Sequence, residues 1–96
     1  MKSIETINEI LNKYKSDLAD KYNVKEIGIF GSYARGEQRK TSDLDVLVEF
    51  SEPIGWEFVD LKEFLESILG MKVDLVTIGA LKPQLKDNIL QEVVYI

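Results

Sequence analysis

The sequence lacks both cysteine and histidine in a length of 96 residues. The absence of cysteine excludes disulfide bonds and makes a reducing cytoplasm the natural setting. The absence of both residue types leaves only oxygen ligands for a metal site, which favours Mg²⁺ or Mn²⁺ over zinc. A general base would have to be a carboxylate or a group activated by a metal ion, because no imidazole is available.

Long apolar runs and excess positive charge are also missing. No stretch approaches the roughly 18 residues of a membrane span, and the first ten residues are amphipathic rather than typical of a signal peptide. We therefore expect no membrane partner. Lys and Arg number 12 against 17 Asp and Glu, a net charge of −5, which argues against direct binding of nucleic acid.

The residues that are present suffice for one small domain, 1–96, because 45% of them are hydrophobic. Apolar spacing from Ile4 to Tyr22 predicts one helix, with Ser3 as N-cap and Asn23 as its C-terminal stop. We expect an α/β (α+β) fold, a small mixed β-sheet with helices packed on it. Strands are predicted at 24–30, 44–50 and 72–78, helices at 32–35, 56–69 and 81–93, and an edge strand or docked tail at 94–96.

Two carboxylates stand where the second predicted strand begins, at Asp43 and Asp45. Side chains alternate between the faces of a strand, so these two point the same way, with Leu44 opposite. Like charges this close favour a divalent cation between them. The structural alternative is that Asp43 caps a turn while Asp45 lies in solvent at the end of the strand.

A glycine–serine turn, Gly31-Ser32, follows the first strand and precedes the short predicted helix. Glycine permits close approach to the backbone, and the free N–H groups of a helix start suit an anion. The alternative is a plain turn with Ser32 as N-cap. Arg35 and Arg39 follow in the connection, where they either face a triphosphate or acceptor or lie in a solvated loop.

A third carboxylate, Asp74, interrupts the third predicted strand. The second strand, the helix 56–69 and the third strand form a β-α-β unit, which favours parallel strands. Parallel pairing would bring Asp74 beside Asp45. If the first strand is antiparallel to the second, Gly31-Ser32 reaches the same edge. The sequence therefore predicts a metal and triphosphate site at one end of the sheet.

The runs GSYARG at 31–36 and SDLDVLV at 42–48 resemble the signature of the DNA polymerase β-like nucleotidyltransferase superfamily. Within that superfamily, the chain resembles the minimal nucleotidyltransferases over nearly its whole length. The resemblance implies a polymerase β-like palm core and two bound Mg²⁺ ions held by Asp43 and Asp45. It also implies that Asp74 helps to hold the catalytic ion and readies the acceptor hydroxyl, and that Gly31 and Ser32 bind the β- and γ-phosphates.

Minimal nucleotidyltransferases are often paired with a HEPN-domain toxin, which they neutralise by transferring AMP to it. The resemblance thus implies ATP as donor, a HEPN toxin as partner, and a role as antitoxin, with a homo-oligomer or a hetero-complex left open. One alternative is nucleotidyl transfer to a small molecule such as an aminoglycoside. Larger superfamily members carry a further domain to grip such an acceptor, and no such domain is expected here. The other alternative is an antitoxin that acts by binding alone.

Trp56 stands at the junction between a loop and the predicted helix 56–69. Its size and apolar character predict packing in the core or at its rim. Stacking on a nucleotide base is the functional alternative for this residue.

Overall fold

The computed structural model describes residues 2–96 as a four-stranded mixed sheet with five α-helices. A short 3₁₀ helix, Ile78–Ala80, follows the third strand. None of the helices in residues 2–96 is both long and apolar enough to cross a bilayer. The elements in chain order are α1 (Ile4–Lys13), α2 (Lys15–Tyr22), β1 (Val24–Phe30), α3 (Ser32–Arg35), β2 (Leu44–Phe50), α4 (Glu57–Leu69), β3 (Val73–Thr77), α5 (Pro83–Glu92) and β4 (Val94–Tyr95).

The strands lie in the order β3-β2-β1-β4. β2 pairs antiparallel with β1 and parallel with β3, so both topological predictions are confirmed. β4 pairs antiparallel with β1, which confirms an edge strand at the end of the sequence. The crossover through α4 supplies the connection that a parallel pair requires.

One face of the sheet carries the hydrophobic core. The apolar residues of β1, β2 and β3 that face it alternate with residues on the other face, as pleating requires. Helices α1, α2 and α4 pack against one another, with α2 against β1 and α4 against β3. The buried residues of this core include Ile27, Ile29, Leu44, Val46, Val48, Val73 and Leu75 on the strands and Ile7, Leu11, Leu18, Leu61, Leu65 and Leu69 on the helices.

The predicted N-terminal helix is wrong in one respect, because it is two helices that meet at Tyr14. This residue leaves helical geometry, with φ −103° and ψ 9°, and its N–H donates to the carbonyl of Leu11. The Tyr14 ring packs edge-on against Phe64 of α4, with ring centroids 5.6 Å apart. The break thus lets α1 and α2 both lie on the core, which periodicity alone does not reveal. Ser3 and Asn23 take their predicted places as N-cap and left-handed stop.

Gly28 makes room for the C-terminal strand. A Cβ added there would lie 2.7 Å from Val93 Cγ2, 3.0 Å from the Val94 carbonyl oxygen and 3.1 Å from Tyr95 Cδ1. Beyond β4, the Ile96 N–H donates to the Ile27 carbonyl at 3.0 Å. The absence of a side chain at this position therefore allows β4 to pair with β1 at the edge of the sheet.

We predict that Gly28→Ala lowers the free energy of unfolding by about 1–2 kcal/mol, because β4 must shift to admit the methyl group. Gly79→Ala is the matched control, since a Cβ there meets nothing within 4 Å. Urea denaturation measures both variants, and amide exchange at Ile96 reports the loosening of β4. Equal stability of the two variants would show that β4 does not depend on this close contact.

Candidate functional site

Asp45 and Asp74 stand directly opposite each other in the parallel pair of β2 and β3. Both alternate away from the buried face of the sheet, so their carboxyl groups share the other face. The pKa of Asp45 is raised to about 6, first by burial and then by the charge of Asp74 and a hydrogen bond with it. Asp43 raises this pKa further, and Arg35 lowers it. The predicted meeting of Asp45 and Asp74 is confirmed.

Asp43 precedes β2 and is exposed. The negative charge of Asp43 contributes to the raised pKa of Asp45, so the three predicted carboxylates approach the same end of the sheet. They do not form a closed cage, because no group of three Asp or Glu side chains within residues 2–96 is already gathered to hold a metal. Asp45 and Asp74 form the inner pair, and Asp43 lies at the rim.

The donor set fits a hard divalent cation. It offers carboxylate oxygens only, and the sequence has no cysteine or histidine to compete. The pKa of Asp45 is raised first by burial and then by the negative charge of Asp74, and a cation would relieve the second effect. Bound phosphate oxygens and water would complete the coordination, as is usual for Mg²⁺.

Gly31 is the N-cap of α3, with φ 75° and ψ −150°, a conformation that is essentially restricted to glycine. A Cβ added there would collide with Asp45 Oδ2 and lie 2.9 Å from Asp45 Cγ. The glycine therefore makes room for the carboxylate. Sequence reasoning assigned this space to a phosphate, and the structure shows that Asp45 occupies part of it.

Ser32 is the first residue of α3 rather than its N-cap, so the plain capping alternative is wrong. Its side chain makes no hydrogen bond to protein within the described chain. The Ser32 carbonyl accepts from the Glu37 N–H at 2.8 Å, and left-handed Gly36 ends the helix. The turn thus leaves the Ser32 hydroxyl available to a ligand.

Glu92 is the residue of this region that sequence reasoning missed. Its carboxylate accepts from the Gly31 N–H at 2.8 Å and from Arg35 Nη1 at 2.9 Å. Arg35 also donates to Glu37 at 2.8 Å, and these two carboxylates raise the pKa of Arg35. Glu92 ends α5, 61 residues beyond Gly31, and no local pattern links the two positions.

A groove of about 720 Å³ opens beside Asp43. Three lysines line it, Lys2, Lys40 and Lys72, together with Tyr33. The size of the groove falls in the range of nucleotide and cofactor sites, and its lysines suit an anionic ligand. Arg39 is exposed in the adjoining connection, where its side chain forms none of the described salt bridges.

Trp56 is not part of this site. It is 84% exposed, so the prediction of core or rim packing is wrong. It follows the C-terminal end of β2, whereas Asp45 lies near the N-terminal end of that strand. The step from Asp45 to Phe50 alone spans roughly 17 Å at about 3.3 Å per residue. The position of Trp56 beyond the far end of β2 therefore disfavours stacking on a nucleotide held at Asp45.

We predict that Asp45→Asn stabilises the metal-free protein by about 1–2 kcal/mol at pH 7.5, since partial exposure discounts the full pKa shift. The folded-state pKa of Asp45, about 6, exceeds its ordinary value of 3.8. Between these values the folded protein holds a proton that the unfolded chain has lost. The free energy of unfolding contributed by Asp45 therefore falls as the pH rises from about 4 to 6.

Urea denaturation in EDTA at pH 4.5 and 7.5 tests this prediction. The difference in free energy of unfolding between the variant and the wild type, which we call the gap, should widen at the higher pH. Asp20→Asn, at an exposed position on α2, is the control and should leave a constant gap. A constant gap for Asp45→Asn as well would show that the carboxylates do not crowd each other.

We also predict that Gly31→Ala abolishes binding of Mg²⁺ with an ATP analogue, because Asp45 must rotate away from the new methyl group. Gly36→Ala is the comparison variant, since its φ is also positive, at 70°, but a Cβ there meets nothing within 4 Å. Gly36→Ala should cost about 1 kcal/mol of stability and retain binding. Calorimetry measures binding. Normal affinity in Gly31→Ala would show that the position of Asp45 needed for binding does not depend on the absence of a side chain at Gly31.

Comparison with known proteins identifies the family of this chain. The family described as nucleotidyltransferase domain matches residues 11–96. Protein adenylyltransferase MntA of Thermococcus cleftensis is 45% identical over 97 residues, covering 100% of this chain and 98% of that protein. A solved structure assigned as a minimal nucleotidyltransferase matches with a TM-score of 0.83 at 36% identity, covering 97% of this chain and 95% of that one.

A solved complex of a tri-AMPylated Shewanella oneidensis HEPN toxin with MNT antitoxin shares the fold, with a TM-score of 0.64 at 22% identity. That match covers 93% of this chain and 70% of the other. The resemblance predicted from two short motifs is thus confirmed by the whole chain, which belongs to the nucleotidyltransferase domain family.

Proposed function

We propose that this chain is a Mg²⁺-dependent protein adenylyltransferase that transfers AMP from ATP to a hydroxyl group of a HEPN-domain toxin. The observation that carries the proposal is the pair of facing carboxylates, Asp45 and Asp74, beside the Gly31 turn. The family and the name of the Thermococcus cleftensis relative support the reaction. The Shewanella oneidensis complex, which contains an AMPylated HEPN toxin, supports the partner.

Asp43, Asp45 and Asp74 are the residues that would hold divalent ions. The resemblance to the superfamily implies two ions, and Mn²⁺ would be able to replace Mg²⁺. When bound, the metal would offset the charge of the triphosphate and lower the pKa of the acceptor hydroxyl. Asp45 is the carboxylate whose pKa responds to both Asp74 and Asp43, so it would contribute most directly to holding a cation. Its raised pKa implies that a cation binds more weakly below about pH 6, where it competes with a proton.

Gly31, Ser32 and Arg35 are the residues we assign to the triphosphate. The Ser32 hydroxyl is available, but the Gly31 N–H and the Arg35 guanidinium already have Glu92 as partner. Arg35 would therefore reach a phosphate by leaving or sharing Glu92 and Glu37. Exposure of about half of the Arg35 side chain makes this exchange feasible, because exposed ion pairs contribute little free energy.

The acceptor hydroxyl would approach from the exposed side of Asp74. The oxygen of the acceptor hydroxyl forms a bond to the α-phosphorus of ATP. At the same time, the bond breaks between that phosphorus and the oxygen that bridges to the β-phosphate. Pyrophosphate leaves, and the hydroxyl proton passes to Asp74 and then to solvent. Asp74 is suited to this role because it is the more exposed member of the inner pair.

The same observations support a setting for the reaction. The lysine-lined groove beside Asp43 is the entry for the anionic nucleotide, whereas the net charge of −5 disfavours nucleic acid as a substrate. A cysteine-free chain is compatible with a reducing cytoplasm. We place the protein there, in complex with its toxin.

The direct test incubates the protein with α-labelled ATP, Mg²⁺ and a HEPN-domain toxin, followed by mass spectrometry of the toxin. Addition of AMP to a hydroxyl side chain is the expected result, and γ-labelled ATP should leave the toxin unlabelled. Neutralisation of the toxin without AMP addition, and by the Asp43→Asn/Asp45→Asn variant as well, would favour an antitoxin that acts by binding alone.

We predict that Asp74→Asn lowers the rate of AMP transfer at least a hundredfold, roughly 3 kcal/mol of barrier. ATP affinity should stay near normal, because Asp43 and Asp45 would retain the ion that accompanies the triphosphate. Single-turnover transfer and calorimetry with a non-hydrolysable ATP analogue separate the two effects. Asp87→Asn, at an exposed position on α5, is the control. Transfer by Asp74→Asn within twofold of wild type would remove Asp74 from the reaction.

A further inference from the structure

The N-terminal end of α4 presents a large apolar side chain to solvent. Trp56 is 84% exposed and Val59, three residues later, is 46% exposed. Residues three apart on a helix are neighbours, so the two side chains form one apolar patch. Tryptophan is one of the residue types enriched among the energetic hot spots of protein interfaces, and the catalytic site proposed above does not use Trp56.

Acidic side chains follow the apolar patch along the same face. Asp60 lies one turn after Trp56, and Glu63 lies one turn after Val59, and both are exposed. Neither forms a salt bridge within residues 2–96. Together these four residues, Trp56, Val59, Asp60 and Glu63, make up what we call the α4 face.

A groove of about 500 Å³ adjoins the α4 face, between α2 and α4. Asp60 and Glu63 line it, together with Tyr22 and Phe64, whose rings stack with centroids 5.2 Å apart. Aromatic walls under paired carboxylates suit a guanidinium or ammonium group, through cation–π attraction and ion pairing. Lys21 is the one positive side chain among the lining residues.

We propose that the α4 face is the docking surface for a basic region of the protein that this chain modifies. Trp56 fills an apolar recess of that partner, and an arginine or lysine of the partner enters the groove beside Asp60 and Glu63. Charge complementarity selects this occupant. A second copy of the chain also has a net charge of −5 and would bring further negative charge to the same carboxylates, and a nucleic acid would do so more strongly.

Trp56, at the start of the α4 face, follows the C-terminal end of β2, whereas Asp45 lies near the N-terminal end of that strand. Docking at the α4 face leaves the lysine-lined groove and the inner carboxylate pair open to ATP and to the acceptor segment. Binding of the partner and transfer of AMP should therefore respond to different substitutions. The identity of the partner as a HEPN toxin rests on the proposed function. The inference that its surface is basic and contains an apolar recess rests on the α4 face alone.

The experiment measures binding of the HEPN-domain protein by calorimetry and AMP transfer by labelled ATP. Trp56→Ala and Asp60→Lys/Glu63→Lys should each raise Kd and the KM for the toxin at least about thirtyfold. The kcat at saturating toxin and the affinity for ATP should not change. Leu85→Ala removes another exposed apolar side chain, from α5, and Glu9→Lys/Asp87→Lys repeats the charge change elsewhere. Both controls should bind as wild type.

Unchanged toxin affinity in both α4-face variants overturns the docking surface, even if AMP transfer proceeds. Absence of toxin binding by the wild-type protein also overturns it. Normal binding that the variants weaken, without any transfer of AMP, supports the docking surface and contradicts the proposed function. Sedimentation velocity provides the remaining outcome, because a wild-type dimer that Trp56→Ala dissociates would assign the face to a second copy and overturn the proposal.

Discussion

The site depends on one constraint, which is that parallel pairing of β2 and β3 holds the carboxyl groups of Asp45 and Asp74 side by side. The two groups cannot separate by a shift of register, because Val46 pairs with Leu75 on the buried face of the same strands. A slip of one residue would place the aspartates in the core. Packing of the hydrophobic face therefore holds the two carboxylates close together on the opposite face, and an affinity for a cation would arise from that proximity.

Glu92, near the end of the sequence, helps to hold the turn beside Asp45 in place. Its carboxylate joins the Gly31 N–H to Arg35, so α5 is connected to the turn that borders Asp45. β4 follows immediately and pairs with β1 at Gly28 and Ile29. Without Glu92, the Gly31 N–H would lose its partner at a partly buried position, which is costly. The last helix is thus part of the support of the site, although it buries no residue of its own.

The sequence was most informative where short-range patterns determine structure. The bounds of β1, α3 and β2 follow from apolar alternation and from glycine at the turn, and the β-α-β rule then placed Asp74 beside Asp45. Three features depended on contacts between distant residues and were not predictable in this way. The first helix breaks at Tyr14, whose ring packs against Phe64, and Glu92 contacts Gly31 across 61 residues.

The third feature is the exposure of Trp56. Hydrophobicity predicts burial for a tryptophan, and helical spacing predicts which face it shares with Val59. Neither property shows whether the fold provides a surface to cover that face. Here α1, α2 and the sheet cover the opposite side of α4, through Leu61, Leu65 and Leu69. An unburied tryptophan is therefore visible only after the packing of the other elements is known.

The two ends of the molecule differ in what controls their charge. At the catalytic end, a divalent cation would offset the carboxylates, so the potential there would change with metal, nucleotide and protonation of Asp45. At the α4 face, Asp60 and Glu63 are exposed, and added salt screens them over about 8–10 Å. Under the proposals made above, a partner attracted to the α4 face would be held whether or not nucleotide is bound. Chemistry would then depend on Mg²⁺ and ATP while recognition would depend on ionic strength, because separate groups of carboxylates would serve the two purposes.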